Sequence, residues 1–272
     1  MSSVRLGSLA VSLLLLLASA RAQLPQLPDQ WFQNLTPDAD GQAISFCVDL
    51  KDPGHVVDAA IAEAIAAVLL VDSTMHVVDS IFDNLDFDPL FFLLSDSCAV
   101  HMGFRLYSDT YPEWLAITRS MYEGRFVIVT ANPDWRTFSD IPPGAPVGVV
   151  QGTQGDVRFI LSNGALPAEQ RLRRLPVGHP TVAFDALSRG TVQALLVWEP
   201  WWWWLSQSRP ELAELHVIEA AHISEPYVGV GGVLLAHRDF VRESVDAAVG
   251  ALIESGTIQE ILDGFGYPAR AR

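Results

Sequence analysis

Val147-Gly148-Val149-Val150-Gln151-Gly152-Thr153-Gln154-Gly155-Asp156 passes from an apolar, β-branched run into small and polar residues. That order reads as a strand, a tight turn and the opening of a helix. Free N–H groups at such a junction suit an anion or the polar head of a ligand, although any α/β protein needs small residues there for geometry alone. The same succession occurs upstream. Ala43 to Val48 is a short buried strand, Asp52-Pro53-Gly54 a turn, and Val57, Ile61, Ile65, Val68 and Leu69 recur at helical spacing. Further strand-like runs lie at Met75 to Val78, Cys98 to Phe104, Phe126 to Val129, Ala194 to Trp198, His216 to Glu219 and Val228 to Leu235, with helical segments between most of them. The alternation argues a mostly parallel α/β sheet flanked by helices.

A break in composition falls at 132–146, where Pro133, Pro142, Pro143, Gly144 and Pro146 cluster after a strand. A crossing to a second lobe is placed there, with Val228 to Leu235 and the helices after it returning to the first. The expected organisation is one lobe from 43–130 and 236–268 and another from 131–235, with hinge strands at its ends. Trp201-Trp202-Trp203-Trp204 is the one low-complexity feature. Four consecutive residues cannot share a helix face, so at least one or two indoles are expected at the surface or an interface. They form a docking patch, line a cleft, or wedge between lobes.

Arg5, a leucine-rich apolar run and Ala20-Arg21-Ala22 have the layout of a secretory signal peptide over 1–22, cleaved before Gln23. An uncleaved membrane anchor is the competing reading, and no Cys follows the run to carry a lipid. Export to the periplasm is therefore expected, with an extended leader over 23–42. About 250 of the 272 residues remain, and half of the chain is apolar, enough for two lobes with separate cores. The formal net charge of −15 becomes −17 once Arg5 and Arg21 are removed. So acidic a surface repels phosphate backbones and anionic headgroups, which argues against nucleic-acid partners and stable membrane insertion. Cys47 and Cys98 both lie in the exported part and are expected to form one disulfide, with two separate buried thiols as the alternative.

Signals for catalysis are missing. No G-x-S-x-G elbow, P-loop or G-x-G-x-x-G after a strand occurs, and the histidines at 55, 76, 101, 179, 216, 222 and 237 lack zinc-site spacing. No metal, no cofactor and no enzymatic activity are expected.

Three blocks carry a resemblance: 147–156, then Ala183-Phe184-Asp185-Ala186-Leu187-Ser188-Arg189-Gly190-Thr191-Val192-Gln193-Ala194, and the terminal Ala251-Leu252-Ile253-Glu254-Ser255-Gly256-Thr257-Ile258-Gln259-Glu260-Ile261-Leu262-Asp263-Gly264-Phe265-Gly266. In order and spacing they resemble the family 3 periplasmic solute-binding proteins of ABC transporters, over roughly residues 43–268. The resemblance implies a two-lobed periplasmic binding protein fold of type II, a Venus flytrap closing on a small solute at its hinge for delivery to an ABC permease. Val197-Trp198-Glu199-Pro200, the two cysteines and His101-Met102-Gly103-Phe104 look more like the subgroup found beside quinoprotein alcohol dehydrogenases. This implies an alternative role as a periplasmic accessory of a pyrroloquinoline-quinone (PQQ) dehydrogenase.

Departures matter as well. Amino-acid binders of this family carry a first-lobe Arg where this chain has Tyr111-Pro112-Glu113-Trp114, and a second-lobe Asp that would fall near Trp198. An indole cannot replace a bidentate Arg clamp, which argues against an amino-acid ligand. The expected contacts are Asp49, Phe104, Tyr111, Trp114 and Arg119 from the first lobe, and Gly152, Thr153, Gln154, Trp198 and Glu199 from the second. Arg119 either faces the cleft or makes a surface ion pair. An enzyme on this fold would need an acid/base pair, for which Glu199 is the one convincing carboxylate.

Overall fold

The computed structural model describes residues 43–79, 87–107, 111–220, 222–223 and 226–272. The signal-peptide and leader segments lie outside them. All eight strands read from the sequence are present, and three short ones join them.

The first sheet holds β1 (Ala43–Asp49), β2 (Asp72–Val78), β3 (Val100–Leu106), β4 (Leu115–Ile117), the first half of β5 (Tyr122–Thr130), β10 (Tyr227–Leu235) and β11 (Arg270–Ala271). The second holds the remainder of β5 with β6 (Pro146–Val150), β7 (Arg173–Val177), β8 (Ala194–Trp198) and β9 (His216–Glu219). Parallel pairing joins three strands in each, β2-β1-β3 and β7-β6-β8. The long strands β5 and β10 are added antiparallel. Strand β5 serves both sheets: Tyr122 to Arg125 pair with β10, and Phe126 to Thr130 pair with β8. The changeover thus falls inside one strand, ahead of the Pro-rich segment 132–146.

Helix α1 (His55–Leu69) buries Val57, Ile61, Ile65, Val68 and Leu69, the periodic positions of the sequence, against the first sheet. It stops at Leu70, whose left-handed conformation lets its N–H reach the carbonyls of Ala66 and Ala67. Helices α6 (Asp239–Glu254) and α7 (Thr257–Phe265) pack against α1 and are separated by Gly256 at φ +81°, the turn read in the terminal block. On the other face α2 (Asp88–Asp96) covers a cluster built on Leu90, Leu94, Val233 and Leu235. Inside that cluster Cys47 of β1 is bonded to Cys98, just ahead of β3, so the expected disulfide forms. The second sheet carries α3 (Gln154–Ala165), α4 (Pro180–Ser188) and α5 (Glu199–Ser208).

The strands missed by the sequence reading share a cause. β4 and β11 are only three and two residues long, and β7 is an edge strand, Arg-Arg-Leu-Pro-Val, whose polar residues and proline break the apolar pattern.

Candidate functional site

The carboxyl ends of the parallel strands β1, β3, β6 and β8 are where ligands sit in open α/β sheets. Here the ends of β3 and β8, from different sheets, meet directly: the Arg105 guanidinium lies 5.8 Å from the centre of the Trp198 indole. One residue beyond β3, the Tyr107 ring receives the guanidinium of Arg158 from α3 at 5.7 Å. Arg105 also hydrogen-bonds the Tyr107 phenol, and that contact works against the burial that raises the phenol's pKa. Two cations, one from each sheet's side, therefore converge on a single tyrosine beside an indole.

Local structure explains the placement of each. Gly103, at φ +78°, opens a bulge in β3, and its missing side chain leaves room for the Asp58 carboxyl. The bulge turns Arg105 and Tyr107 toward the second sheet. The Tyr111 hydroxyl props this end, donating to the Arg105 carbonyl and accepting from the Tyr107 N–H. Asp52, in the turn after β1, accepts from the Gly54 N–H at 2.7 Å and approaches Arg105 to 3.7 Å.

Beneath this surface the Asp58 carboxylate accepts from the Tyr122 hydroxyl at 2.8 Å, and the Tyr267 ring packs edge-on against Tyr122. Burial, reinforced by Asp52, raises the Asp58 pKa well above the usual carboxylate value. Burial likewise raises both tyrosines.

On the second side, Gly152 turns at φ +79° and Thr153 caps α3. The Thr153 Oγ1 accepts from the Asp156 N–H at 3.3 Å and donates to the Val150 carbonyl at 2.8 Å. The buried Asp156 carboxylate accepts from Gly152 and takes both arms of Arg174 at 2.6 Å. The turn is thereby braced from within. Trp198 ends β8, its indole lying on the α-carbon of Gly124 and edge-on to Phe126. Glu199 is buried and spends both carboxylate oxygens on Arg125 of β5, at 2.5 and 2.9 Å. The same contact pushes the Arg125 pKa up.

The ten expected contacts thus separate. Trp198 and the turn Gly152, Thr153 and Gln154 stand at the carboxyl ends of β8 and β6, and Asp49 at the end of β1. Glu199 is in an ion pair with Arg125 of β5. Phe104, Tyr111 and Trp114 pack toward α2, in a chain of rings with Phe87 and Phe91 at 5.1–6.5 Å. Arg119 is exposed and lies against α6, its backbone N–H donating to the Asp246 carboxylate at 2.6 Å and its guanidinium lying over Gly250. Arg105, Tyr107, Arg158, Asp52 and Asp58 were not singled out from the sequence. A signal existed: cations are scarce in so acidic a chain, and Arg105 sits at the end of a strand.

The four tryptophans divide as helical geometry requires. Trp201 packs on His179, Trp202 donates to the Leu212 carbonyl, Trp203 meets Tyr267 edge-on across the two sheets, and Trp204 is 41% exposed. Among the described residues no cluster of His, Cys, Asp or Glu suits a metal, and no helix is long and apolar enough to cross a membrane.

No family model and no curated protein matches the sequence. Solved structures do match. The substrate-binding protein of an amino acid ABC transporter superposes with a TM-score of 0.57 at 16% identity, over 82% of this chain and 98% of that one. The GluR0 ligand-binding core from Nostoc punctiforme, in complex with L-glutamate, gives 0.59 at 15% identity, over 83% and 100%. An ABC uptake transporter substrate-binding protein from Streptococcus pneumoniae with bound histidine gives 0.60 at 16%, over 85% and 95%. At such identities the likeness is one of architecture, and the chain has the two-lobed α/β fold of the periplasmic binding type.

Proposed function

We propose that this protein captures a small solute in the cleft between its two sheets and presents it to an ABC-type permease. The carrying observation is the meeting of Arg105 and Tyr107, at the end of β3, with Trp198 and Arg158 from the second sheet's side, beside a strand that serves both sheets. Such a site is complete only when the two halves are together, so a ligand bound there favours closure by its differential affinity for the closed form. The lobes are the two sheets with their helices, exchanging near Arg125 in β5 and ahead of Tyr227 in β10. Glu199 and Asp156, the buried carboxylates of the second side, are engaged by Arg125 and Arg174, which suits a role in holding the site's shape. Export through a cleaved signal peptide, placing the protein in the periplasm, completes this reading and accords with the disulfide.

Native mass spectrometry of the exported protein, purified without denaturation, tests the proposal together with thermal shift against candidate solutes. A retained small molecule, or a solute-dependent rise in melting temperature, is the expected result. An empty protein that no solute stabilises, but that forms a stable complex with a PQQ dehydrogenase, would overturn it in favour of the accessory role. That role gains no support from the structural relatives.

A further inference from the structure

Accepting that the two sheets close on a solute, we propose that residues 267–272 form a strap across the join between the sheets. The strap holds them in the arrangement that brings Arg105 to Trp198, and so sets how readily the cleft opens. Its anchor is Glu123 of β5. The Glu123 side chain is only 2% exposed, and its charge is answered by Arg270, whose Nε and Nη2 donate to Oε2 at 3.1 and 2.8 Å, and by Arg272. Both arginines reach one carboxylate because the chain is extended through β11, so side chains two residues apart leave on the same face. β11 pairs antiparallel with Tyr122 and Glu123, just ahead of the point after Arg125 where β5 passes from the first sheet to the second.

The same segment grips the other crossing and the second side. The Arg270 guanidinium lies 5.0 Å from the centre of the Tyr227 ring, at the residue where β10 re-enters the first sheet. Tyr227 stands opposite Arg125 in the ladder and accepts a hydrogen bond from its side chain. Tyr267 packs edge-on against Tyr122 of β5 and against Trp203 of α5, with ring centres 5.7 and 5.1 Å apart. From behind, the Gln259 side chain of α7 accepts from the Ala271 N–H at 2.9 Å. Six residues thus touch both strands that link the sheets and a helix on each side. Rotating one sheet away from the other would bend β5 beside Glu123 and slide Trp203 past Tyr267. The bend would draw the carboxylate from its arginines, and a buried charge left without its partners is strongly disfavoured.

Electron spin resonance distance measurement tests the strap in the solute-free protein, with nitroxides on Glu63→Cys in α1 and Ser188→Cys in α4, both exposed positions. The parent is expected to give one narrow distance distribution. Glu123→Gln, which keeps the shape and removes the charge, and the Arg270→Gln, Arg272→Gln double variant should each add a population at longer distance, with circular dichroism showing both variants folded. Any solute that the parent retains should bind Glu123→Gln about tenfold more weakly, because less of the protein is in the competent arrangement. Parent-like distances in both folded variants, or an unchanged affinity, would show that the segment adds stability alone and overturn the strap. The distances need no solute, so the two readings fail separately. Unchanged distances sink the strap and leave solute capture standing, whereas shifted distances in a protein that no solute stabilises keep the strap and sink capture.

Discussion

The benzo ring of Trp198 lies directly on the α-carbon of Gly124, so that the last residue of one sheet's central strand covers the point where β5 passes from the first sheet to the second. A methyl group on Gly124 would run into the indole, which is itself pinned by Phe126 and Arg105. Gly124→Ala is expected to cost about 1–3 kcal/mol in urea unfolding, the usual penalty of overpacking. An unchanged midpoint would show that the indole can yield.

Glu199 and Arg125 act as a rivet between α5 and β5, the strand shared by both sheets. Glu199→Gln keeps the shape and removes the charge, so about 1.5–3 kcal/mol of stability should be lost, the range for hydrogen bonds to a charged partner. Solute affinity should change far less than in Arg158→Gln, as measured by calorimetry on both variants. A larger affinity loss in Glu199→Gln would place that carboxylate at the ligand.

His222 stacks on Phe138 with ring centres 3.6 Å apart and meets Phe159 edge-on, and this burial lowers its pKa from 6.5 to about 4. The folded protein therefore binds this proton less readily than the unfolded chain. Its contribution to stability is present above pH 6.5 and is lost as the pH falls toward 4. Between pH 6.5 and 4.5 the loss amounts to about 2 kcal/mol. His101, also lowered by burial to about 4, acts in the same direction, while Asp58, raised by burial, gains as the pH falls. His222→Phe should flatten the acid limb of a stability–pH curve by that amount, and an unaltered limb would contradict the assignment.

The bond between Cys47 and Cys98 closes a loop spanning 51 residues of sequence. Constraining a loop of that size stabilises by about 2–4 kcal/mol in the chain-entropy account. The Cys47→Ala, Cys98→Ala double variant should lose that much, and dithiothreitol should then leave its unfolding midpoint unmoved while lowering that of the parent.

How far the sequence reached is clearest in β6–α3 and α1. The run Val147 to Val150, the turn at Gly152 and the Thr153 cap were legible because each rests on its own few residues, as did the buried positions of α1. Phe104, Trp114 and Arg119 show where that reading stops. All three are of the right chemical type for a binding site, but the side of the sheet to which each points depends on the Gly103 bulge and on the helices packed beyond.

Local patterns thus determined the strands, the helices and the caps, since hydrophobic period and turn chemistry act within about ten residues of chain. Only the tertiary structure decided which residues the proposed site gathers. Arg105, Arg158 and Trp198 lie far apart in sequence, and nothing in the neighbourhood of any one of them specifies the other two. They meet because β5 runs through both sheets and brings the carboxyl end of β3 to face those of β6 and β8.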